Sequence, residues 1–274
     1  MQAFKWPVLF GVFVALVHIF FGKAFGLPPV VTSEEIYETS TGRLFAAVYS
    51  AAPLISFSFC GFVTATIVQE FWRGIKMRRK NAQEGFFKAL VTLVAKARRR
   101  YGGYIVHVGI VLMCIGFTGA AYDIKKEATL HIGESLEIHN YRFEYIRARS
   151  ITDPNKRMVF TEFDVYHNGK KVDQVSPAKF IYTTHPEMPT TEVAIRSRLS
   201  NDLYVIMNSV NPETKIGTFQ VIYRPLVIWI WIGALILLLG VIIAMAPRIS
   251  ELLSMDPPSS KASVVDAEQA KEGV

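Results

Sequence analysis

Long apolar segments alternate with polar stretches along the chain, and four of them are long enough to be considered as membrane helices. They cover residues 4–21, 44–68, 102–122 and 225–246. The second segment carries no Asp, Glu, Lys or Arg over the 25 residues from Leu44 to Val68, whereas the first contains Lys5. A helix of about 20 apolar residues crosses the hydrocarbon core of a bilayer. The pattern therefore predicts a membrane protein with four transmembrane helices, three of them within residues 1–122.

The first apolar segment could instead be a secretory signal peptide, since a single Lys precedes its apolar stretch. The residues at its end read Phe-Phe-Gly-Lys over Phe20–Lys23, which lacks the small-x-small pattern of a cleavage site. We therefore expect this segment to be retained as the first span.

Basic residues cluster between the second and third spans and define the expected orientation. Residues 71–100 contain ten Lys and Arg side chains but one acid, Glu84. Short basic loops stay in the cytoplasm, which places this loop and both termini inside and residues 123–224 outside. The net charge of +7 then reflects membrane topology, and nucleic acid is not an expected partner. Within the loop, residues 84–97 have the spacing of a short amphipathic helix at the membrane surface.

Apolar and polar positions alternate between residues 123 and 224, which predicts an outer all-β domain of about seven short strands, a sandwich or a small barrel. Asn168-Gly169 predicts a two-residue hairpin turn, because both residues tolerate positive φ. Cys60 and Cys114 both lie in spans, so the domain has neither a disulfide framework nor a Cys-x-x-Cys motif. Residues 247–274 are rich in Pro, Ser, Ala and charge, which predicts a disordered cytoplasmic tail.

His107 is the most informative candidate for chemistry, because an ionisable side chain within a span costs free energy unless it has a partner. Helical spacing places Gly103, Cys114 and Thr118 on the same stripe of the helix as His107. The glycine one turn before His107 leaves lateral room for a flat group such as haem, whose iron takes an axial imidazole. A second stripe suits close helix packing and consists of Gly102, Gly109, Gly116 and Ala120. Spacing alone favours a hydrogen-bonded histidine within the bundle over a haem ligand.

The other histidines give weaker signals. His18, in the first span, has bulky neighbours, which favours a packing position. Four more lack metal-ligand spacing and are expected at the surface of the outer domain: His131, His139, His167 and His185. The chain has no carboxylate pair, Ser-His-Asp set, phosphate loop or HExxH motif, and we expect no catalytic residue in it.

Five segments stand out as motifs: Gln69–Gly74, Arg99–Gly109, Met188–Arg196, Asp202–Val205 and Pro225–Gly233. The segment Arg99–Gly109 reads Arg-Arg-Tyr-Gly-Gly-Tyr-Ile-Val-His-Val-Gly. In content and order they resemble the C-terminal part of the CcmF family, the haem lyases of cytochrome c-type biogenesis. The resemblance extends over roughly residues 57–239.

This resemblance implies a subunit of a haem lyase in the bacterial inner membrane. Such proteins accept haem from a periplasmic haem chaperone and attach it to Cys-x-x-Cys-His motifs of apocytochromes c, and they carry a b-type haem that relays electrons from quinol. In the family, the histidine of the Gly-Gly-Tyr-x-x-His-x-Gly motif is an axial ligand of that haem, and here it is His107. The resemblance therefore favours a haem ligand at His107, whereas spacing alone favours a hydrogen-bonded histidine. It also implies that residues 123–224 are periplasmic and dock the chaperone, apocytochrome c and its thiol-reducing proteins.

The family's haem-handling, Trp-rich WWD segment and its second b-haem histidine belong to the N-terminal part and have no counterpart here. The tryptophans of this chain are Trp6, Trp72, Trp229 and Trp231. We therefore expect a split CcmF, in which a separate WWD-containing N-terminal subunit completes a shared haem b site and this chain alone is inactive as a lyase.

Two alternatives to a haem-binding subunit stay open. The chain could be a non-haem scaffold of the cytochrome maturation complex, or a ResB-like subunit of the other maturation system. The second shares the plan of three spans, an outer domain and a fourth span. Whether His18 or Arg98–Arg100 contact haem is also undecided, and the positive-inside rule is a sufficient explanation for the arginines.

Overall fold

The computed structural model describes residues 4–21 and 40–246. Within this part, five helices are α1 (Lys5–Phe21), α2 (Ser40–Ala82), α3 (Phe86–Lys96), α4 (Arg98–Thr118) and α5 (Ile228–Met245). A 3-10 turn, Gly119–Tyr122, continues α4. The predicted tail, residues 247–274, and most of the loop between the first two predicted spans lie outside the described residues.

Three helical segments of the described chain are long and apolar enough to cross a membrane. They are Ala51–Ala82, Arg98–Tyr122 and Ile228–Met245. The first helix, α1, is also apolar but shorter, with 17 residues. The described residues therefore include three helices of membrane-spanning length, and the fourth span stays a prediction.

The segment predicted as a basic cytoplasmic loop, residues 71–100, is almost entirely helical. The second helix continues through its basic residues to Ala82, because Lys and Arg are good helix formers and Ile75 is buried at the helix surface. Arg78 and Glu84 form an ion pair at 3.0 Å that closes the connection to α3. The third helix exposes Phe87 and Val91, as an amphipathic helix at a membrane surface would.

Glycines bring α4 and α5 together along their whole length, so that the two antiparallel helices nearly touch through their backbones. A Cβ atom on Gly109 would lie 2.6 Å from the carbonyl oxygen of Gly233 and from the amide nitrogen of Leu237. A Cβ on Gly102 would lie 2.8 Å from the nitrogen of Ala244, near the other end of α5. The predicted small-residue stripe is therefore the α4–α5 interface, as close packing in membranes requires.

The β domain is a sandwich of two sheets. Its ten strands are β1 (Ile124–Leu130), β2 (Ser135–Ile138), β3 (Tyr141–Thr152), β4 (Lys156–His167), β5 (Lys170–Val175), β6 (Ala178–Tyr182), β7 (Thr190–Glu192), β8 (Ala194–Ser197), β9 (Asn201–Val210) and β10 (Gly217–Pro225). One sheet has the order β1-β10-β9-β8. The other has the order β2-β3-β4-β6-β7, with β5 also paired to β4.

The sandwich has ten strands and not the seven predicted, because three predicted strands, over residues 136–146, 171–182 and 192–199, are each divided. The last of these is interrupted at residue 193, between β7 and β8. The segment 136–146 turns at residues 139–140 between β2 and β3. The segment 171–182 is broken at Pro177, which has no backbone N–H and instead accepts hydrogen bonds from Thr161 through its carbonyl. The predicted turn at Asn168-Gly169 is present, with φ of 50° and 79°, and joins β4 to β5.

Three aromatic side chains that are almost completely buried hold the two sheets together. Phe219 comes from the first sheet and meets Phe163 and Tyr145 of the second at ring distances of 4.7 and 4.9 Å. The Tyr145 hydroxyl donates to the backbone carbonyl of Lys215 at 3.0 Å, so its polar end is also satisfied.

The base of the sandwich is tied to the helices at one point. Asp123 follows the 3-10 turn after α4, and Arg224 lies near the end of β10, just before α5. Their side chains form an ion pair at 2.7 Å, and the hydrogen bond to Asp123 raises the pKa of Arg224 above its ordinary value. The strand pair β1–β10 therefore continues the α4–α5 pair out of the membrane region.

We predict that Gly109→Leu destabilises the protein by about 1–3 kcal/mol or more, because the added side chain has to displace the backbone of α5. Thermal unfolding of the detergent-solubilised protein, followed by size-exclusion chromatography, measures this effect. The matched control is Gly103→Ala in the same helix, where a Cβ atom meets nothing within 4 Å. Equal melting temperatures for both variants would contradict the proposed role of the α4–α5 contact.

Candidate functional site

The candidate site lies on α4, whose surface is divided into three faces. One face packs on α5 through the glycines described above. A second face packs on α2, where Ser56 and Thr118 share a hydrogen bond at 2.6 Å and the Cys60 thiol points at the carbonyl of Val111. The third face is not covered by any described helix and exposes Ile110 and Phe117.

His107 lies on this uncovered face, and its side chain is exposed. Its Nδ1 lies 2.7 Å from the carbonyl oxygen of Gly103, one turn earlier. A carbonyl can only accept, so this contact requires a proton on Nδ1, and in the neutral ring Nε2 is then the electron-donating nitrogen. That arrangement is typical of metal-bound histidine, in which the second ring nitrogen donates to a backbone carbonyl.

Gly103 leaves space beside the imidazole. A Cβ atom built on it would meet no atom within 4 Å, in contrast to Gly102 and Gly109 on the neighbouring face. These residues fit a planar group such as haem, because the helix offers a free ring nitrogen, open space beside it and exposed apolar side chains. The structure brings together His107 and Gly103 as the sequence spacing predicts.

Polar residues gather where the face covered by α2 meets the basic end of α4. Arg100 and Glu70 form an ion pair, and the Tyr104 hydroxyl lies 3.4 Å from the same carboxylate. Phe71 packs on Tyr104 with a ring distance of 6.1 Å. Glu70 is thus the counter-ion of an arginine two turns before His107.

Sequence reasoning missed this cluster, although one signal pointed to it. Glu70 is the only acidic residue between positions 40 and 82, in a segment that is otherwise apolar or basic. An isolated acid in such a segment predicts a specific cationic partner. The three arginines at the start of α4 also differ from one another: Arg100 pairs with Glu70, whereas Arg98 donates to the carbonyl of Ala95 at 3.1 Å.

The second intramembrane histidine has a different environment. His18 is buried between α1 and α2, where its ring lies 6.1 Å from that of Phe57. It borders an apolar cavity of about 350 Å³ whose walls include Cys60 and Ile115. His18 therefore occupies a packed position between helices, and the uncovered face of α4 contains His107.

The four remaining histidines lie in the β domain. His131, His139 and His185 are exposed, and His167 is half-buried with its ring 4.5 Å from that of Tyr141. Among the described residues no group of three His, Cys, Asp or Glu side chains is arranged to hold a metal ion. A metal centre built from side chains alone is thus not present in the described ranges.

Comparison with known proteins relates both the sandwich and the helices to one family. The family model described as the CcmF C-terminal beta-sandwich matches residues 121–225, from the 3-10 turn to the end of β10. The cytochrome c-type biogenesis protein CcmF of Haemophilus influenzae is 24% identical over 248 residues, which is 90% of this chain. Over its sandwich the chain matches the CcmF C-terminal domain, and over most of its length it is similar to CcmF proteins.

Further relatives agree with this assignment. CcmF of Escherichia coli is 29% identical over 141 residues, or 51% of the chain. A solved structure of "Cytochrome c Heme Lyase CcmF" superposes with a TM-score of 0.57 at 18% identity, covering 87% of this chain and 40% of that one. At this identity the superposition supports the fold alone.

The matched part of the chain spans 34% of the length of the H. influenzae protein and 22% of the length of the E. coli protein. The matched sandwich begins after α4, so the uncovered face with His107 lies outside the family model. These similarities confirm the resemblance to the C-terminal part of CcmF that was found in the sequence.

Proposed function

We propose that this CcmF-family chain is part of a membrane haem lyase for cytochrome c maturation and that His107 supplies one axial ligand of an intramembrane b-type haem. The observation that carries the proposal is the combination at His107: an exposed imidazole in a membrane helix, with Nδ1 held by the carbonyl of Gly103 and Nε2 free. Haem bound there would supply an iron that exchanges single electrons, for which quinol is the proposed donor.

The side chains of α4 have separate tasks in this proposal. His107 coordinates, and the Gly103 carbonyl fixes its ring orientation and keeps the proton on Nδ1. Gly103 itself leaves the lateral space in which a macrocycle lies. Ile110 and Phe117 provide an apolar surface that keeps water away from the same face.

The uncovered face requires a second component. An ionisable side chain within a membrane is costly when it faces lipid, and such residues almost always face a protein interior or a bound group. We propose that the missing wall and the second axial ligand come from a WWD-containing, N-terminal CcmF-like subunit, so that the haem is shared. The exposed position of His107, on a face that no described helix covers, supports this.

We further propose that the chain crosses the bacterial inner membrane four times, with both termini in the cytoplasm and residues 123–224 in the periplasm. The ten basic residues between positions 71 and 100 support this orientation. The sandwich would then dock the periplasmic haem chaperone, apocytochrome c and its thiol-reducing proteins. Lyase activity is expected only from the complete assembly.

A non-haem scaffold is the second candidate function. One observation favours it: the Nδ1 contact with Gly103 already satisfies one nitrogen of the His107 ring within its own helix. In that case the uncovered face would be only a helix-packing surface, and the β domain would carry the whole function. Substitution of His107 separates the two candidates.

We predict that His107→Ala abolishes the b-type haem of the purified assembly while the subunits stay associated. His107→Met, which keeps a ligating atom, should retain a haem with a shifted optical spectrum and a raised reduction potential, because thioether ligation raises that potential. His139→Ala, on the exposed surface of the β domain, is the matched control. Full haem content in His107→Ala would exclude the ligand assignment and leave the scaffold.

We also predict that Gly103→Leu lowers haem content at least fivefold without lowering the melting temperature, since its side chain occupies the space beside His107 and touches no other helix. Haem is quantified as the pyridine haemochrome per mole of protein. Gly103→Ala should retain more haem than Gly103→Leu. Unchanged haem in the leucine variant would show that the lateral space is not used.

A further inference from the structure

A cavity of about 210 Å³ opens between the two sheets of the sandwich, and no part of the proposed haem site uses it. It is bordered by β3, β4, β6, the end of β9 and the turn that follows β9. Strands β9 and β10 pair from Asn201 opposite Pro225, beside the helices, to Val210 opposite Gly217. Ten strand residues extend roughly 30 Å, so the cavity lies at the end of the sandwich far from the membrane helices.

The floor of this cavity is apolar and continuous with the domain core. Met207 is 1% exposed, and Val159 and Val210 pack against the same buried cluster. Ile181 of β6 forms part of the wall. A water-filled opening over such a floor is less stable than one filled by an apolar side chain.

The rim of the cavity is strongly basic. Four cationic side chains line it, and none of the lining residues is acidic: the cations are Arg149, Arg157, Lys179 and Lys215. We call this rim and its apolar floor the basic mouth. Like charges gathered at one opening raise the local potential and attract an anionic partner.

Most of this charge is not neutralised within the described chain. Lys179 and Lys215 donate to the backbone carbonyls of Asn208 and Pro212, which carry no net charge. The guanidinium group of Arg157 makes no hydrogen bond or ion pair with any described residue.

Two acids lie near the basic mouth without an ion pair to its cations: Glu127 accepts a hydrogen bond from Asn208, and Glu213 belongs to the turn after β9. Glu162 does pair with one of the cations, but it is shared. It lies 3.5 Å from Arg149 and accepts a hydrogen bond from Arg147 at 2.7 Å, and this bond lowers the pKa of Glu162 below its ordinary value. One ionised carboxylate between two guanidinium groups leaves the basic mouth with an excess of positive charge.

We propose that the basic mouth binds an acidic segment of a partner protein, which inserts an apolar side chain into the cavity and places flanking carboxylates against the four cations. The volume favours a peptide anchor, since small-molecule sites usually measure about 300–1,000 Å³ and 210 Å³ holds one or two side chains. Lipid headgroups are excluded by distance, because surface charges at physiological salt act over about 8 Å. This proposal does not depend on haem at His107.

The test measures binding of a defined probe to the full-length, detergent-solubilised chain. The probe is a fluorescein-labelled 12-residue peptide that alternates Leu with Asp and Glu, followed by fluorescence anisotropy at low and physiological salt. The parent chain should bind it, and the double variant Arg157→Glu/Lys179→Glu should bind at least tenfold more weakly. A peptide with Lys in place of the acids should not bind.

The matched control is Lys125→Glu/Lys170→Glu, which makes the same change in net charge at two exposed residues away from the mouth. It should bind the acidic peptide like the parent chain. Equal weakening in both double variants would overturn the proposal, because it would show attraction by net charge alone. Displacement of the peptide by glutarate at equal carboxylate concentration would also overturn the proposal, because it would identify a small-anion site. Melting temperatures of both variants exclude misfolding as the cause.

Discussion

The close contact between α4 and α5 determines how the rest of this molecule can be arranged. With Gly109 and Gly233 in backbone contact, α4 has no freedom to rotate about its axis, since any rotation would push a side chain into α5. The contact also fixes the spacing of the two chain segments that leave the helices, β1 and β10, which pair directly and carry the sandwich. One constraint within the helices therefore positions both the β domain and the faces of α4.

Because the glycine face is committed to α5 and the neighbouring face to α2, His107 is directed away from both. In a soluble protein an exposed histidine would need no explanation, but in a membrane helix it would face lipid. The hydrogen bond to the Gly103 carbonyl satisfies Nδ1 and orients the ring, and Nε2 points outward without a partner on the described helices. The proposed shared haem follows from this geometry: a ligand on an outer surface, with lateral room beside it, needs a second component to enclose it.

Much of this arrangement could be read from the sequence, since it depends on local spacing. The glycine stripe at 102, 109 and 116 predicted a close helix contact, which the structure places between α4 and α5. Asn168-Gly169 predicted the β4–β5 hairpin, and both signals arise from backbone geometry that few residues allow. The sandwich could not be distinguished from a barrel, because the pairing of β1 with β10 joins residues that are distant in the sequence, such as Ile124 and Tyr223. The position of Pro177, which divides one predicted strand, was visible, although its effect on pairing was not.

The site itself was predicted in part. Spacing placed Gly103 and His107 on one stripe, but it could not show that the stripe faces outward, which depends on where α2 and α5 pack. Nor could it connect Glu70 with Arg100, which are 30 positions apart, or gather Arg157, Lys179 and Lys215 from three separate segments around one cavity. Each of these required the tertiary fold, because no local pattern relates the residues concerned.

The most direct test of the central claim is a pair of optical spectra, oxidised and dithionite-reduced, recorded on this chain purified alone and again after co-purification with the N-terminal, WWD-containing part of a CcmF-type lyase. A haem site shared across the uncovered face of α4 predicts a low-spin b-type signal in the combined preparation and little or none in the chain alone. Absence of haem from a combination that demonstrably assembles would contradict the account and identify the chain as a docking scaffold.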